Sequence, residues 1–222
     1  MKHIAIIMDG NRRFAKKHNK PASFGHEKGS EVIKSVCEYA RKCKIPFLTL
    51  FAFSTENWNR TEDEVNSLNS LLEKFLTKES KYFIQNKIKV LIIGDKTAYS
   101  PKIQKQITDL EKETQNFEPF TLCIALNYGG RAEILDAVNK ALKNGKNEIT
   151  INEFESHLQT STLPDVDLLI RTGGAKRLSN FILWKLTYSE LYFTDVLWPE
   201  FTEDEFQKAI NFLNAQVRNF GS

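Results

Sequence analysis

The segment Met8-Asp9-Gly10-Asn11-Arg12-Arg13-Phe14 sets a carboxylate, a glycine, an amide and two guanidiniums directly behind an apolar run at 4–8. A run apolar at every position reads as a parallel strand buried on both faces. In open α/β sheets, ligands gather just beyond the carboxyl ends of the strands, where Asp9 falls. A helix starting near Asn11 would aim its free N–H groups and positive dipole end at the same spot. Amides for a phosphate and a carboxylate for Mg²⁺ point to a phosphorylated ligand. The segment alone also has a plainer reading, since Asp-Gly is common turn chemistry and Asp caps helices.

Two further segments place polar groups just after an expected strand. Ser54-Thr55-Glu56-Asn57-Trp58-Asn59-Arg60 supplies neutral polar groups and an aromatic wall. Arg171-Thr172-Gly173-Gly174-Ala175-Lys176-Arg177-Leu178-Ser179-Asn180 sets two arginines and a serine around a Gly-Gly turn. Guanidiniums bind phosphate through bidentate, charge-assisted bonds, and paired glycines let backbone amides come close. Plainer readings are a solvated loop and a polar turn with a half-buried Trp. All three segments would open on one edge of a parallel sheet, and that convergence outweighs any one of them. His26, in Phe24-Gly25-His26, is by itself more often structural. No P-loop, G-x-G-x-x-G, G-x-S-x-G or H-E-x-x-H motif occurs, which disfavours P-loop kinases, dinucleotide enzymes, serine hydrolases and zincins.

The elements that must carry these segments alternate along the chain. Strands are expected at 4–8, 47–53, 88–93, 120–126 and 166–170, with a short one near 181–184. A helix from about Asn11 and amphipathic stretches at 26–44, 62–86, 101–116, 131–143 and 203–217 lie between and after them. Thr61-x-x-Glu64, Thr150-x-x-Glu153 and Thr202-x-x-Glu205 read as capping boxes, and Ser100-Pro101 starts a helix. The pattern predicts an α/β fold with a mostly parallel central sheet of about six strands flanked by helices. At 222 residues, with no repeat or linker, it reads as a single domain over 1–222. The 62–86 stretch carries Val65, Leu68, Leu71, Leu72, Phe75, Leu76, Tyr82 and Phe83 on one broad face. Core packing is the ordinary reading of such a stripe, and the wall of a hydrophobic tunnel is the other.

A net charge of +3 gives no argument for nucleic acid. Cys37, Cys43 and Cys123 have no metal-like spacing and read as free thiols of a reducing compartment. The 4–8 run is too short for a secretory signal, and nothing approaches the ~20 apolar residues of a membrane span. The expectation is a cytoplasmic protein.

Met8-Asp9-Gly10-Asn11, Phe24-Gly25-His26, Phe53-Ser54-x-Glu56-Asn57-Trp58-Asn59-Arg60 and Asn127-Tyr128-Gly129-Gly130-Arg131 resemble cis-prenyltransferases. So do Ile170-Arg171-Thr172-Gly173-Gly174, Ser179-Asn180-Phe181 and Glu190-Leu191-Tyr192-Phe193. The resemblance runs in order over nearly the whole chain and is nearest to the bacterial undecaprenyl diphosphate synthases. The absence of any Asp-Asp pair agrees with the cis class. It implies a homodimer that extends farnesyl diphosphate with successive isopentenyl diphosphates, requires Mg²⁺ and makes the lipid carrier for cell-wall glycans. The lipid product implies peripheral contact with the inner face of the membrane.

Carried onto these positions, the resemblance gives Gly10, Asn11, Arg12, Arg13 and Phe14, with His26, to the allylic diphosphate. Arg171, Arg177, Leu178 and Ser179 go to isopentenyl diphosphate, and Ser54, Thr55, Glu56, Asn57, Trp58 and Arg60 to the reacting centre. Asp9 is a Mg²⁺ ligand and Glu190 a second, across the dimer. The family's Asn, here Asn57, is sometimes cast as proton acceptor, but a neutral amide is a poor base and reads better as an orienting group.

Some positions depart from the pattern. Arg12 stands where glycine is common, Phe14 replaces tryptophan, and Ala22 removes an expected arginine, for which Arg12 can compensate. Ala175 and Lys176 replace a polar pair before Arg177. Gln216 and Asn219 replace arginines, leaving Arg218 for a cross-subunit phosphate contact. Two rival functions stand beside this one. An aspartyl phosphotransferase would use Asp9 as nucleophile but lacks a second aspartate at Asn11. A non-catalytic prenyl-lipid-binding relative would have no need of the full polar set.

Overall fold

The computed structural model describes residues 1–59, 61–143, 145 and 148–216. Strands β1 (His3–Ile7), β2 (Phe47–Ser54), β3 (Lys89–Ile93), β4 (Thr121–Tyr128), β5 (Leu168–Arg171) and β6 (Glu190–Phe193) form one sheet. Its order is β3-β4-β2-β1-β5-β6, and every pairing is parallel. The helices are α1 (Asn11–Lys17), α2 (Ala22–Lys42), α3 (Glu62–Gln85), α4 (Pro101–Thr114), α5 (Gly130–Lys143), α6 (Ile151–His157) and α7 (Glu203–Asn214).

The period-two alternation of the strands splits the core. Ile4, Ile6, Leu48, Leu50, Leu122 and Ile124 face Val36 of α2, Phe83 of α3, Ile107 of α4 and Phe206 of α7. Ala5, Ile7, Phe51, Cys123 and Leu169 face Phe181 and Ile182 on the other side. Burial on both faces is why β1 reads as an unbroken apolar run.

The sixth strand is not where the sequence suggests. Phe181 and Ile182 are a buried turn packed under the sheet, and Leu183 and Trp184 already belong to a 3₁₀ segment at Leu183–Leu186. The edge strand is Glu190–Phe193, a part-exposed run of four residues that opens on a carboxylate and is too short to stand out beside the unbroken apolar run at 181–184. Helix α2 begins at Ala22, one turn before the amphipathic pattern, behind Pro21. The Thr150–Glu153 capping box is reciprocal and starts α6, a helix too short to be read by periodicity. Thr202 and Ser100 also cap their helices, but the Thr61 side chain makes no capping bond. Among the described residues no helix is long and apolar enough to cross a membrane.

At the amino end of β1, His3 is fully buried. Its Nδ1 lies 2.8 Å from the Pro164 carbonyl, which can only accept, so Nδ1 carries the proton and Nε2 accepts from the Thr49 hydroxyl at 2.7 Å. Burial lowers the imidazole from 6.5 to about 4, against the opposing pull of the Pro164 carbonyl. The folded state therefore resists a proton that the unfolded chain accepts. This stabilisation is complete above pH 6.5 and is lost progressively as pH falls towards 4, by about 3 kcal/mol. Denaturant melts across that window should show the loss in the wild type and a smaller one in His3→Gln. Equal slopes would contradict the assignment.

Candidate active site

The ends of β1, β2 and β5 bring the three polar segments together. Gly10 caps α1 at φ 116°, where a Cβ would meet Leu197 Cα at 2.9 Å, so the turn out of β1 requires glycine. The turn is tied from behind. The Asp9 carbonyl accepts from Trp198 N–H at 3.0 Å and the Thr172 hydroxyl at 2.7 Å, while Asp9 N–H lies 3.0 Å from Thr172 Oγ1. With the backbone fixed, the Asp9 carboxylate stands between two guanidiniums. Its Oδ1 accepts from Arg13 at 3.1 Å and its Oδ2 from Arg171 at 3.0 Å.

Arg171 is the buried organiser of the β5 loop. Besides Asp9, it donates to the Arg177 carbonyl at 2.6 Å and to Ser179 Oγ at 2.7 Å, and its buried Nε has no partner among the described residues. Ser179 and Asn180 sit at φ 50° and 62°, uncommon for non-glycine residues. Arg171 holds the first, and the Gly130 and Arg131 N–H groups, donating to the Asn180 carbonyl at 2.7 Å and its Oδ1 at 2.9 Å, hold the second. The Gly-Gly turn reads in the sequence as letting backbone amides come close to a phosphate, but the Gly173 and Gly174 amides are engaged within the fold. They donate to the carbonyls of Val196 at 2.7 Å and Thr194 at 2.8 Å. What the turn provides is clearance, since a Cβ on Gly173 would strike the Arg13 guanidinium at 2.4 Å.

The β2 loop is aimed by two irregularities. Phe51 pairs with Ala125 but Phe53 with Leu126, and Ser54 pairs with Tyr128, so Ala52 and Asn127 each fall out of register. Asn127, at φ 49°, donates to the Asp95 carbonyl at 2.9 Å and accepts from the Trp58 indole at 2.7 Å. Trp58 thereby braces the loop from the side of Phe53 and Tyr99. Asn57 Oδ1 accepts from Ser54 N–H at 3.0 Å, and its NH₂ group has no hydrogen-bond partner among the described residues. Glu56 accepts from Asn180 at 2.9 Å, joining the β2 and β5 loops. Burial pushes the Glu56 carboxyl up, but hydrogen bonds from Asn180, its own N–H, Ser54 and Thr55 outweigh it and the net shift is downward.

A polar cavity of about 560 Å³ lies under these loops, lined among others by Asp9, Ser54, Asn57, Arg171, Arg177 and Ser179. A smaller recess of about 300 Å³ is formed at Asp9, Gly10, Arg12, Arg13 and His26. An apolar cavity of about 110 Å³ runs between the sheet and helices α2 and α3. Met8, Asn11 and His26 line all three. His26 is thus a junction residue, a position that its lone occurrence in sequence could not convey. The α3 stripe divides between its two readings. Val65, Leu76 and Phe83 are buried in the core, whereas Leu68, Leu71, Leu72 and Phe75 are half-buried and, with Leu76, line the apolar cavity.

Other named residues take supporting places. Phe14 stacks on Phe24 at the α1–α2 seam, Thr55 packs against Gly129, and Leu178 joins the core beneath the sheet. Arg12 reaches Glu64 of α3 at 3.4 Å. Glu190 begins β6 opposite Leu168, three residues before the register of Arg171 with Phe193. It therefore sits at the far end of its strand, roughly 10 Å back from the loop edge. Arg60, Arg218 and Asn219 lie outside the described residues. Gln216 turns its amide onto the Phe212 carbonyl at 3.1 Å. Thr172, Asn127, Asn180 and Trp198 went unread as site-builders, and only their contacts across more than a hundred residues of sequence, or at irregular registers, reveal them.

Among the described residues, no group of three or more His, Cys, Asp or Glu side chains gathers to hold a metal. The donor set still fits Mg²⁺, which characteristically takes one or two carboxylates and completes its shell with water and phosphate oxygens. Asp9 offers a partly exposed carboxylate whose Oδ1 partner, Arg13, is itself half exposed and free to turn towards a phosphate.

Residues 7–221 match the family described as "Putative undecaprenyl diphosphate synthase". An "Isoprenyl transferase" of Fusobacterium nucleatum is 50% identical over 220 residues, covering 99% of this chain and 95% of that one. A farnesyl-diphosphate-specific ditrans,polycis-undecaprenyl-diphosphate synthase of Pasteurella multocida is 46% identical, covering 99% and 94%. The crystal structure of lavandulyl diphosphate synthase from Lavandula x intermedia, in complex with dimethylallyl diphosphate, superposes with a TM-score of 0.95. It is 35% identical and covers 100% of this chain and 98% of that chain. Matches of this extent leave no room for an aspartyl phosphotransferase. The chain belongs to the isoprenyl transferase family, the cis-prenyltransferases, and is an enzyme that transfers prenyl groups.

Proposed function

We propose that this enzyme, acting as a single catalytic domain over 1–222, condenses farnesyl diphosphate with successive isopentenyl diphosphates. The product is a long cis-polyprenyl diphosphate, undecaprenyl diphosphate, the lipid carrier for cell-wall glycan synthesis. The carrying observation is Asp9, flanked by Arg13 on one oxygen and Arg171 on the other, with an apolar cavity opening beside it. Two cationic groups suit two diphosphates, and the cavity suits an isoprenoid tail. The Pasteurella relative's farnesyl specificity and the lavender neighbour's bound prenyl diphosphate support the substrate class.

In this reading, Arg12, Arg13 and the first-turn amides of α1 bind the allylic diphosphate beside His26, and the tail enters the apolar cavity. Arg177 and Ser179 bind the diphosphate of isopentenyl diphosphate, while Arg171 holds both in place from below. That arrangement sets the isopentenyl double bond against the allylic carbon. The alkene electrons form the new carbon–carbon bond as the allylic carbon–oxygen bond breaks, and the diphosphate leaves with that electron pair. Asp9 is the Mg²⁺ ligand of this chain, and Mg²⁺ when bound supplies charge neutralisation to the departing diphosphate. Asn57 orients through its NH₂ group. Its oxygen is engaged by Ser54 N–H, so the proton lost from the isopentenyl unit goes to diphosphate or water. Glu190 serves as a second metal ligand only from a second copy of the chain, which fits a homodimer. The tunnel's lipid product brings the cytoplasmic enzyme to the inner face of the membrane as a peripheral visitor.

The two-subsite assignment has a direct test. Arg177→Ala should raise KM for isopentenyl diphosphate roughly tenfold or more, the scale of one charge-assisted contact. KM for farnesyl diphosphate should change little. Equal weakening of both substrates would overturn the assignment.

A further inference from the structure

Glu79 is a carboxylate where the pattern of α3 calls for an apolar side chain. It lies between Leu76 and Phe83 on the buried stripe of that helix and is only 8% exposed. Its Oε2 meets Lys34 Nζ of α2 at 2.6 Å. The same ammonium lies 5.0 Å over the ring of Tyr82, whose hydroxyl donates to Glu38 of α2 at 2.8 Å. These polar ties fasten α2 to α3 at the lower end of their seam. Nothing in the site chemistry uses them, and a buried ion pair is weak grounds for stability, since an apolar pair of similar volume commonly does as well or better.

Its position suggests another role. Ile33 and Leu76, neighbours of the pair, line the apolar cavity, while Lys34 and Glu79 line a groove of about 510 Å³ on the outer side of the same seam. Ser30, Leu71 and Phe75 are common to both, so a thin wall divides cavity from groove. The cavity, at about 110 Å³, is far short of a long polyprenyl chain. Its sheet side is the close-packed centre of the molecule, and the α2–α3 seam is the side that borders open space. We infer that the Lys34–Glu79 pair is a reversible clamp on this seam, and that its parting sets how far the product chain can grow. This inference rests on the chain-elongating reading above.

An ionic clamp suits that task because both charges regain water when the helices separate, offsetting the lost attraction. An apolar seam would instead expose its surface on every opening. Lys34→Met/Glu79→Leu should therefore keep the helices closed. Products sized from farnesyl diphosphate and labelled isopentenyl diphosphate should shorten, and the fraction reaching wild-type length should fall roughly ten- to a hundredfold, the scale of exposing one such apolar pair. The rate of the first condensation and the thermal midpoint should not fall. The charge swap Lys34→Glu/Glu79→Lys should return the length distribution towards wild type, which separates the ion pair from mere side-chain shape.

Raised ionic strength should lengthen wild-type products and leave those of the Met/Leu variant unchanged. If the Met/Leu variant folds and makes wild-type lengths, the clamp is refuted while elongation stands. If the wild type makes no elongated product, the elongation reading fails first, and the clamp with it.

Discussion

Asp9→Ala should lower turnover by roughly 10²–10³, the scale for removing one group aimed at developing charge, with the fold left intact. The fold survives because Asp9 holds its place through its backbone, by bonds to Thr172 and Trp198 that alanine keeps. What disappears is the carboxylate between Arg13 and Arg171. Those arginines would then pull on the diphosphates with nothing to share the metal. The loss should fall on kcat and kcat/KM together, because the group acts as the leaving diphosphate gains charge. Asp9→Asn, which keeps shape and hydrogen bonding but not charge, should be nearly as impaired. Single-turnover rates beside a circular-dichroism melt separate catalysis from folding, and near-normal turnover of a folded Asp9→Ala protein would remove Asp9 from the mechanism.

Arg171→Ala should damage both stability and activity. The side chain is 4% exposed and bridges Asp9, the Arg177 carbonyl and Ser179. Removing it leaves Asp9 to Arg13 alone and takes the donor from the Arg177 carbonyl and Ser179, at about 2 kcal/mol, the scale of losing charge-assisted hydrogen bonds. Ser179, held at positive φ, also loses its anchor. Arg171→Lys should not rescue it, since one ammonium lacks the planar fork that reaches three acceptors in fixed directions. Denaturant midpoints and KM for isopentenyl diphosphate should both worsen in the two variants. Full recovery by lysine would show that charge alone, and not the fork, does the organising.

The legible part of this molecule was its periodic and its contiguous part. Five strands, the long helices and the three loop segments declare themselves through apolar runs, helical spacing and turn residues, and parallel topology then gathers the loops at one edge. The sixth strand was missed because Phe181 and Ile182 carry more apolar signal than Glu190–Phe193, although they are buried by a turn and not by a ladder. The role of Arg171 was half legible. Its type and place could be read, but its partners lie up to 162 positions away, and only the fold shows that it builds the loop from beneath. The same holds for the Gly173 and Gly174 amides, whose acceptors belong to the chain after β6. The α3 stripe was ambiguous for a physical reason: the same side chains serve core and cavity, and which they do depends on what stands opposite.

Purified protein should be incubated with farnesyl diphosphate, labelled isopentenyl diphosphate and Mg²⁺, with a matched EDTA control, and the extracted products sized. A ladder of long polyprenyl diphosphates that vanishes with EDTA is the predicted result. Absence of chains longer than the primer, with prenyl lipid still bound, would contradict the account and favour a lipid-binding relative that has lost turnover.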